Sequence, residues 1–379
     1  MLEIRKNDNI KPKEFTLSEY DDLREWSNIL ERDVLVLNTT MTCPLSCDFC
    51  CYGCHPGRKE KMPLEAALDL IDQAAAMPSF SSVGFTGGEP VFYRDDFLAM
   101  TNRLAMHGLP YTVATSGYWG ADADGGAALA DHMVATGLRR MNISCDPSHA
   151  EFVTPEAVSR AAHNCAKQDV PVYIVGTFNK VGDSLNDFVP DLVGVNNIFL
   201  IDKVVAKTGR ATKWDVDYSA IVTDKVKTCY RRVNHDIVVF WDGKTYPCCS
   251  TFNRATEGLV IGNAFEEPLE LIRARLEASL LFRVIKREGF PEFYDIIRRF
   301  DPQLYAEMPK FESYPGACST CHAVFKKQDI AVRVEQVFET YRTAEIMKSL
   351  DKIGSLLDEG NAATFFEKMV LECSQSTET

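Results

Sequence analysis

Cys43, Cys47 and Cys50 stand in a C-x3-C-x2-C spacing within the run Thr39 to Gly57, just after the apolar Val34-Leu35-Val36-Leu37. Cysteine thiolates are the usual protein ligands of iron–sulfur clusters, and three on one short loop can hold three irons of a [4Fe–4S] cluster. A fourth iron would then lack a protein ligand, and an open coordination site on a cofactor is a place for chemistry. The competing reading is a structural zinc knot, to which Cys51 and Cys54 add two further thiols. C-x2-C pairs favour zinc; C-x3-C-x2-C after a strand does not.

A second set lies downstream. Cys229, Gly243 and Cys248 form a C-x13-G-x4-C array, and Cys318-x2-Cys321 follows. Four thiols suit either a four-cysteine zinc ribbon or a cluster with every iron held by protein. Cys249 is left over beside Cys248. Adjacent residues of an extended strand point to opposite sides, so Cys249 faces away from whatever Cys248 ligates. Its weak S–H bond suits it to give a hydrogen atom to a carbon radical; the alternatives are an inert buried cysteine, or Cys249 as the ligand in place of Cys248. Gly87-Gly88-Glu89-Pro90 adds a turn whose glycines let the backbone approach a ligand closely.

These residues need a scaffold, and the chain supplies a rhythmic one. Strand-like runs at Val34–Leu37, Ser82–Thr86, Tyr111–Thr115, Met141–Ser144, Val172–Phe178 and Ile198–Val205 alternate with helical patterns. The helices are predicted over Leu64–Ala76, Asp96–Met106, Gly126–Ala135, Pro155–Lys167 and Leu185–Leu192. Alternation of this kind means βα units around a parallel sheet. From about Thr212 the rhythm stops. Asp236–Trp241, an Asp242-Gly243 turn and Lys244–Tyr246 predict a hairpin. Helices over Pro268–Arg287, closed by Gly289, and over Pro291–Phe300 come next, then a helical tail from Val324 to Cys373. Leu17–Leu30 has an amphipathic helical pattern.

At 379 residues the chain can bury a large core and a second, smaller one. A net charge of −13 without a basic run argues against a nucleic-acid partner and is compatible with a cationic peptide. No apolar run approaches membrane-spanning length and the N-terminus lacks a signal-peptide core, so the expected location is cytoplasmic. There, thirteen cysteines point to metal or catalysis rather than disulfides.

The cysteine spacing and the strand before it resemble the radical S-adenosylmethionine (SAM) superfamily. The resemblance implies an open (β/α)6 partial barrel of TIM-like type, with SAM chelated by the open iron and cleaved to a 5'-deoxyadenosyl radical. It implies that Phe49 packs against the adenine and that Gly87, Gly88, Glu89 and Pro90 meet the SAM amino group. Ser116, Ser144 and Asp146 stand where relatives contact the methionyl carboxylate or ribose, and Arg210 where it could pair with that carboxylate. Each of these four also reads as an ordinary loop or surface residue. The downstream cysteines resemble the shorter, one-cluster twitch form of the SPASM extension, making Cys229, Cys248, Cys318 and Cys321 the ligands of an auxiliary [4Fe–4S] cluster. The expected organisation is an N-terminal extension (1–30), the barrel (31–211), the twitch-like domain (212–325) and a helical C-terminal extension (326–379).

A narrower resemblance rests on Trp241 to Ser250 (WDGKTYPCCS), Leu280-Leu281-Phe282, Arg287 to Phe290, Cys50-Cys51 and Gly117 to Gly120. Over residues 33–325 the chain is similar to the radical SAM peptidyl epimerases that make epipeptides. The resemblance implies that a Cα hydrogen of an L-residue in a ribosomally made precursor peptide is abstracted, and that Cys249 returns hydrogen from the opposite face. It further implies SAM, two [4Fe–4S] clusters and an electron donor such as flavodoxin or ferredoxin. Peptide crosslinking and alcohol dehydrogenation are the alternative radical SAM outcomes; a non-enzymatic iron–sulfur or zinc protein is a more distant one.

Overall fold

Seven parallel strands carry the site: β2 (Asp33–Asn38), β3 (Phe80–Thr86), β4 (Tyr111–Thr115), β5 (Leu138–Ser144), β6 (Val172–Phe178), β7 (Ile198–Val204) and β8 (Asp236–Phe240). The computed structural model describes residues 3–5, 33–179, 183–216, 229 and 235–358. The pattern over Leu17–Leu30 lies outside them. Spatial order runs β7-β6-β5-β4-β3-β2-β8, with β1 (Glu3–Arg5) antiparallel on β7 and β9 (Lys244–Tyr246) and β10 (Gly262–Asn263) continuing the sheet past β8. All six predicted barrel strands are present, and the hairpin is formed by β8 and β9.

The hairpin does more than its sequence announced. β8 pairs in parallel with β2, with Val36 opposite Val238 and Asn38 opposite Phe240. Every residue of β8 is buried; a continuous apolar run of this kind belongs to a strand covered on both faces, not to one facing water.

The helices between the strands pack on the outer face, since β-branched strands feeding amphipathic helices bury both apolar sides at once. The helix Leu64–Ala76 turns Ala67, Leu70, Ile71 and Ala74 onto the sheet. Leu35, Leu37, Val83, Phe85, Val113, Ile143 and Ile174 belong to this large core. A second core gathers Val36, Val238, Phe240 and Tyr246 with Phe290, Phe293, Phe325 and Phe338. It is stitched by aromatic contacts, including Phe293 stacked on Phe338 at 5.5 Å.

Two predicted helices break where the residues require it. The stretch over Pro268–Arg287 is two helices, Leu269–Ala278 and Leu280–Arg287. Ser279 between them is extended, and its hydroxyl accepts from the Phe282 N–H, capping the second helix at the cost of the first. Leu185–Leu192 is likewise split into Leu185–Phe188 and a 3-10 turn at Pro190–Leu192, because proline disfavours the helical conformation in the residue before it. The short helix Ala317–Phe325 precedes the tail, which forms the helix Gln328–Asp358; the predicted length beyond Asp358 lies outside the described residues. Among those residues no helix is long and apolar enough to cross a membrane.

Asp33 fastens the first barrel strand to the elements beyond the barrel. Its buried carboxylate accepts from Arg273 Nε (2.6 Å) and from the His235 N–H (2.8 Å). Asp33→Ala removes both acceptors and is expected to cost about 1–3 kcal/mol, read as a lower urea midpoint.

Candidate active site

Parallel strands leave the sheet at one end, so the loops after β2, β3, β4, β5, β7 and β8 converge there. The cysteine loop follows β2. Its three sulfurs act on one another electrostatically, and burial, with the Glu89 charge and its two partner thiols, pushes the Cys43 thiol up to about 12. Cys50 is pulled the other way, to about 5. The Cys54 thiol donates to it, against burial, with help from the Cys54 and Tyr52 N–H groups and the Arg210 charge.

Three neighbouring loops close on this one. The Gly88 N–H donates to the Thr40 carbonyl (2.6 Å) and the Glu89 N–H to that of Thr42 (2.9 Å). A Cβ on Gly88 would stand 2.2 Å from the Thr42 oxygen, so glycine is required by contact. Gly209, with φ of +56°, lies against the carbonyls of Cys50 and Cys51, and a Cβ there would stand 2.3 Å from the Cys50 oxygen. The Arg210 N–H donates to the Cys50 carbonyl (3.2 Å), and its guanidinium forks onto the carbonyls of Cys47 and Cys54. Asp48 meets the Ser148 hydroxyl beyond β5.

Several candidates are tied into the chain itself. Glu89 is fully buried; its carboxylate accepts from Thr115 Oγ1 (2.7 Å), the Ser116 N–H (2.8 Å) and Ser116 Oγ (2.7 Å), and burial raises its pKa. It joins the end of β3 to the end of β4. Asp146 is equally buried and accepts from the Thr177 N–H (3.2 Å), the His149 N–H (3.1 Å) and His149 Nδ1 (2.8 Å). The Phe49 ring meets the rings of His149 (5.4 Å) and Trp214 (6.2 Å) edge-on. Ser144, half-buried, closes β5, and Pro90 is buried behind the glycine turn.

His149 carried no signal in the sequence beyond its place three residues after Asp146. Burial alone would lower its pKa, yet the Asp146 carboxylate and the Cys47 sulfur, both hydrogen-bonded to its ring, hold it up at about 10.

The second thiol set assembles from three places. Cys248 ends the hairpin, Cys318 and Cys321 sit three apart on the helix Ala317–Phe325, and Cys229 reaches the same spot. Burial, then the charges of its three neighbours, pushes the Cys248 thiol well up, and Cys321 behaves alike. Lys286 stands near Cys229 and Cys248 and shares a hydrogen bond with His235 Nδ1 (2.9 Å).

Cys249 is exposed between the two sets. Tyr52, two residues past Cys50, donates its hydroxyl to the Ser250 carbonyl (2.9 Å) and sets its ring against Phe240 at 5.3 Å. Cys51 and Lys203, the latter at the top of β7, both feel the Cys249 charge. Lys203 keeps solvent access, yet partial burial lowers its pKa, and the Arg140 charge lowers it further.

Among the described residues no three His, Cys, Asp or Glu side chains stand at single-ion spacing. The donor chemistry, all-thiol sets of three and four, fits iron–sulfur clusters, one with an open position. The amide of Asn38, fully buried on the strand that enters the cysteine loop, has no hydrogen-bond partner at either atom.

If Arg210 holds the loop in its iron-binding shape, Arg210→Met weakens iron retention at the first site by about 10–100-fold. Iron and sulfide per chain, measured after reconstitution and desalting, then fall toward the content of the second site alone. A lysine restores little, because one ammonium does not span two carbonyls.

Comparison with known proteins agrees with this geometry. Residues 37–178 match the radical SAM superfamily and residues 229–322 the SPASM iron–sulfur cluster-binding domain. A curated relative, the "Putative peptide biosynthesis protein YydG" of Bacillus subtilis (strain 168), is 24% identical over 295 residues, covering 75% of this chain and 90% of that protein. Among solved structures, anSMEcpe with bound AdoMet is 15% identical over 85% of this chain and 99% of that one, with a TM-score of 0.48. SuiB of Streptococcus suis, bound to the precursor peptide SuiA, is 14% identical over 73% of each chain, with a TM-score of 0.39. With a SAM-binding [4Fe–4S] cluster and SAM implied at the first thiol set and auxiliary iron–sulfur at the second, the chain carries a radical SAM domain over residues 37–178 and a SPASM-type domain over residues 229–322.

Proposed function

We propose that the chain epimerises residues of a ribosomally made precursor peptide from L to D. The observation that carries the reading is the position of Cys249: exposed, next to Cys248 of the second thiol set, and tied to the first through the Tyr52–Ser250 hydrogen bond. The peptide-biosynthesis name of the relative YydG supports a peptide substrate. So does the solvent access left at Ala114 of β4 and Arg140 of β5, which gives a chain room to lie against the sheet.

When bound, the cluster and SAM of the first site supply hydrogen-atom abstraction. Inversion then needs a hydrogen atom delivered from the opposite side of the same carbon. The Cys249 Sγ–H bond breaks, a new Cα–H bond forms, and the sulfur is left one electron and one proton short. An electron donor of the flavodoxin or ferredoxin class and a solvent proton restore the thiol. Tyr52 fixes the hairpin end against the cysteine loop, so that abstraction and return address one carbon from two directions. Lys203, near the end of β7, is close enough to Cys249 to feel its charge.

The test is an anaerobic reaction in deuterated water with reconstituted protein, SAM, reductant and candidate precursor peptides. One deuterium gained per modified residue, with the D-residue found after hydrolysis, is the expected result. Cys249→Ala is expected to keep 5'-deoxyadenosine formation and to lose the deuterated D-product by at least about 100-fold, the scale at which a positioned proton or hydrogen donor acts. Loss of two hydrogens per event would replace the reading with crosslinking or dehydrogenation.

A further inference from the structure

Cys249 stands at the apex of a three-residue turn. The Ser250 N–H donates to the Cys248 carbonyl (3.1 Å), which closes the chain around Cys249, and Cys249 does not have a positive φ. This is the inverse γ-turn pattern, in which the central side chain projects away from the small ring, in keeping with the exposure of Cys249. A ring this small bends its hydrogen bond, and a bent bond is weak. The turn needs other supports.

Two side chains supply them, one on each side. Asn253 Nδ2 donates to the same Cys248 carbonyl (2.8 Å). Tyr52 Oη donates to the Ser250 carbonyl (2.9 Å), which also accepts from the Asn253 N–H (3.3 Å). The carbonyls of the residues flanking Cys249 thus each receive one backbone and one side-chain donor, which fills both lone pairs of each oxygen. Asn253 is fully buried and opens the 3-10 turn Asn253–Ala255. Its amide orientation is fixed by chemistry, since the Cys248 carbonyl can only accept. The Oδ1 atom has no hydrogen-bond partner among the described residues. A buried acceptor left unpaired destabilises, and leucine would fill the same space without one. Packing therefore does not account for the amide; its use lies in the Nδ2–H directed at Cys248. The support behind it is firm. The Phe252 ring stacks on His322 at 4.9 Å, and Thr256 Oγ1 bonds both the Phe252 carbonyl (2.7 Å) and His322 Nδ1 (2.8 Å). The turn thereby rests on the helix Ala317–Phe325, which carries Cys318 and Cys321.

We infer that Asn253 is a positioning residue for hydrogen return, forming with Tyr52 a two-sided clamp that decides which face of the peptide radical receives the hydrogen. The clamp acts through Cys249, so the inference rests on the proposed donor role of that thiol. A thiol held on a loose turn meets the Cα radical late and at a poor angle. The radical then takes an electron from the one-electron reductant of the reaction and a proton from solvent. That forms the same Cα–H bond without choice of face.

The experiment repeats the reaction in deuterated water with reconstituted, full-length protein and reads the ratio of D to L among residues that have gained deuterium. A general loss of folded or cluster-loaded protein lowers the amount of product and leaves this ratio unmoved. Asn253→Leu removes the donor and keeps the volume, and the ratio is expected to fall about tenfold or more, the scale at which a small misplacement of a reacting group acts. Tyr52→Phe keeps the ring on Phe240 and loses the hydroxyl. It is expected to move the ratio in the same direction, giving an independent reading should Asn253→Leu load its second cluster poorly. Ratios in both variants equal to that of the unmodified protein would overturn the inference while leaving Cys249 as donor. So would a ratio that falls in Tyr52→Phe and stays high in a cluster-loaded Asn253→Leu, by reducing Asn253 to packing. A Cys249→Ala variant that still yields the D-product would instead overturn the donor reading beneath it.

Discussion

Strand β8 lies beside β2 in parallel register, and the rest of the site depends on that pairing. Because Asn38 is opposite Phe240, the two chains leave the sheet at the same height and in the same direction. One runs directly into the loop that carries Cys43, Cys47 and Cys50; the other turns back through the hairpin to Cys248 and Cys249. Residues some two hundred positions apart are thereby brought within reach of one hydrogen bond, from Tyr52 to Ser250. A hairpin packed loosely on the barrel could vary that separation. A strand hydrogen-bonded into the sheet cannot, because a slip of one residue would reverse every side chain and undo the packing on both of its buried faces.

The same rigidity is imposed on the cysteine loop from three sides, and mostly by backbone. Gly88 and Gly209 allow main chain to touch main chain, and Arg210 spans two carbonyls that no β-ladder could satisfy. Polar side chains finish the assembly. Glu89 is spent on Thr115 and Ser116, so its buried charge is compensated by three close donors from the next strand end. This is the economy of a site that must hold an open coordination position: the loop is fixed by contacts behind it, leaving the front for ligand.

Much of this was legible in the sequence, for physical reasons. Period-two apolar runs and amphipathic helices are local signals, and the strands at Tyr111–Thr115 and Val172–Phe178 and the helix at Leu64–Ala76 match their predicted bounds. The convergence of Cys229 and Cys248 with the Cys318–Cys321 pair follows from thiol chemistry. The parallel pairing of β8 was not legible, since the hairpin signal of Asp242-Gly243 is local and says nothing about which sheet the strand joins. Neither was His149, an isolated histidine whose meaning comes from a sulfur about a hundred residues earlier. The break at Ser279 was masked by good helix formers on both sides, where one hydroxyl decided between continuing a helix and capping a new one.

Charge is distributed to the same end. The chain has 41 basic against 54 acidic residues, yet beside thiols it places cations: Arg210 by Cys50, Lys286 by Cys229 and Cys248, Lys203 by Cys249. Burial lowers the pKa of both lysines, so each ammonium is held at a disadvantage by its surroundings. Thiolate-ligated clusters bring negative charge to these spots, and a nearby cation then gains an attraction that offsets its desolvation. Three cations thus stand where sulfur will carry negative charge, and the pairing of β8 with β2 fixes the hairpin whose thiols two of them face.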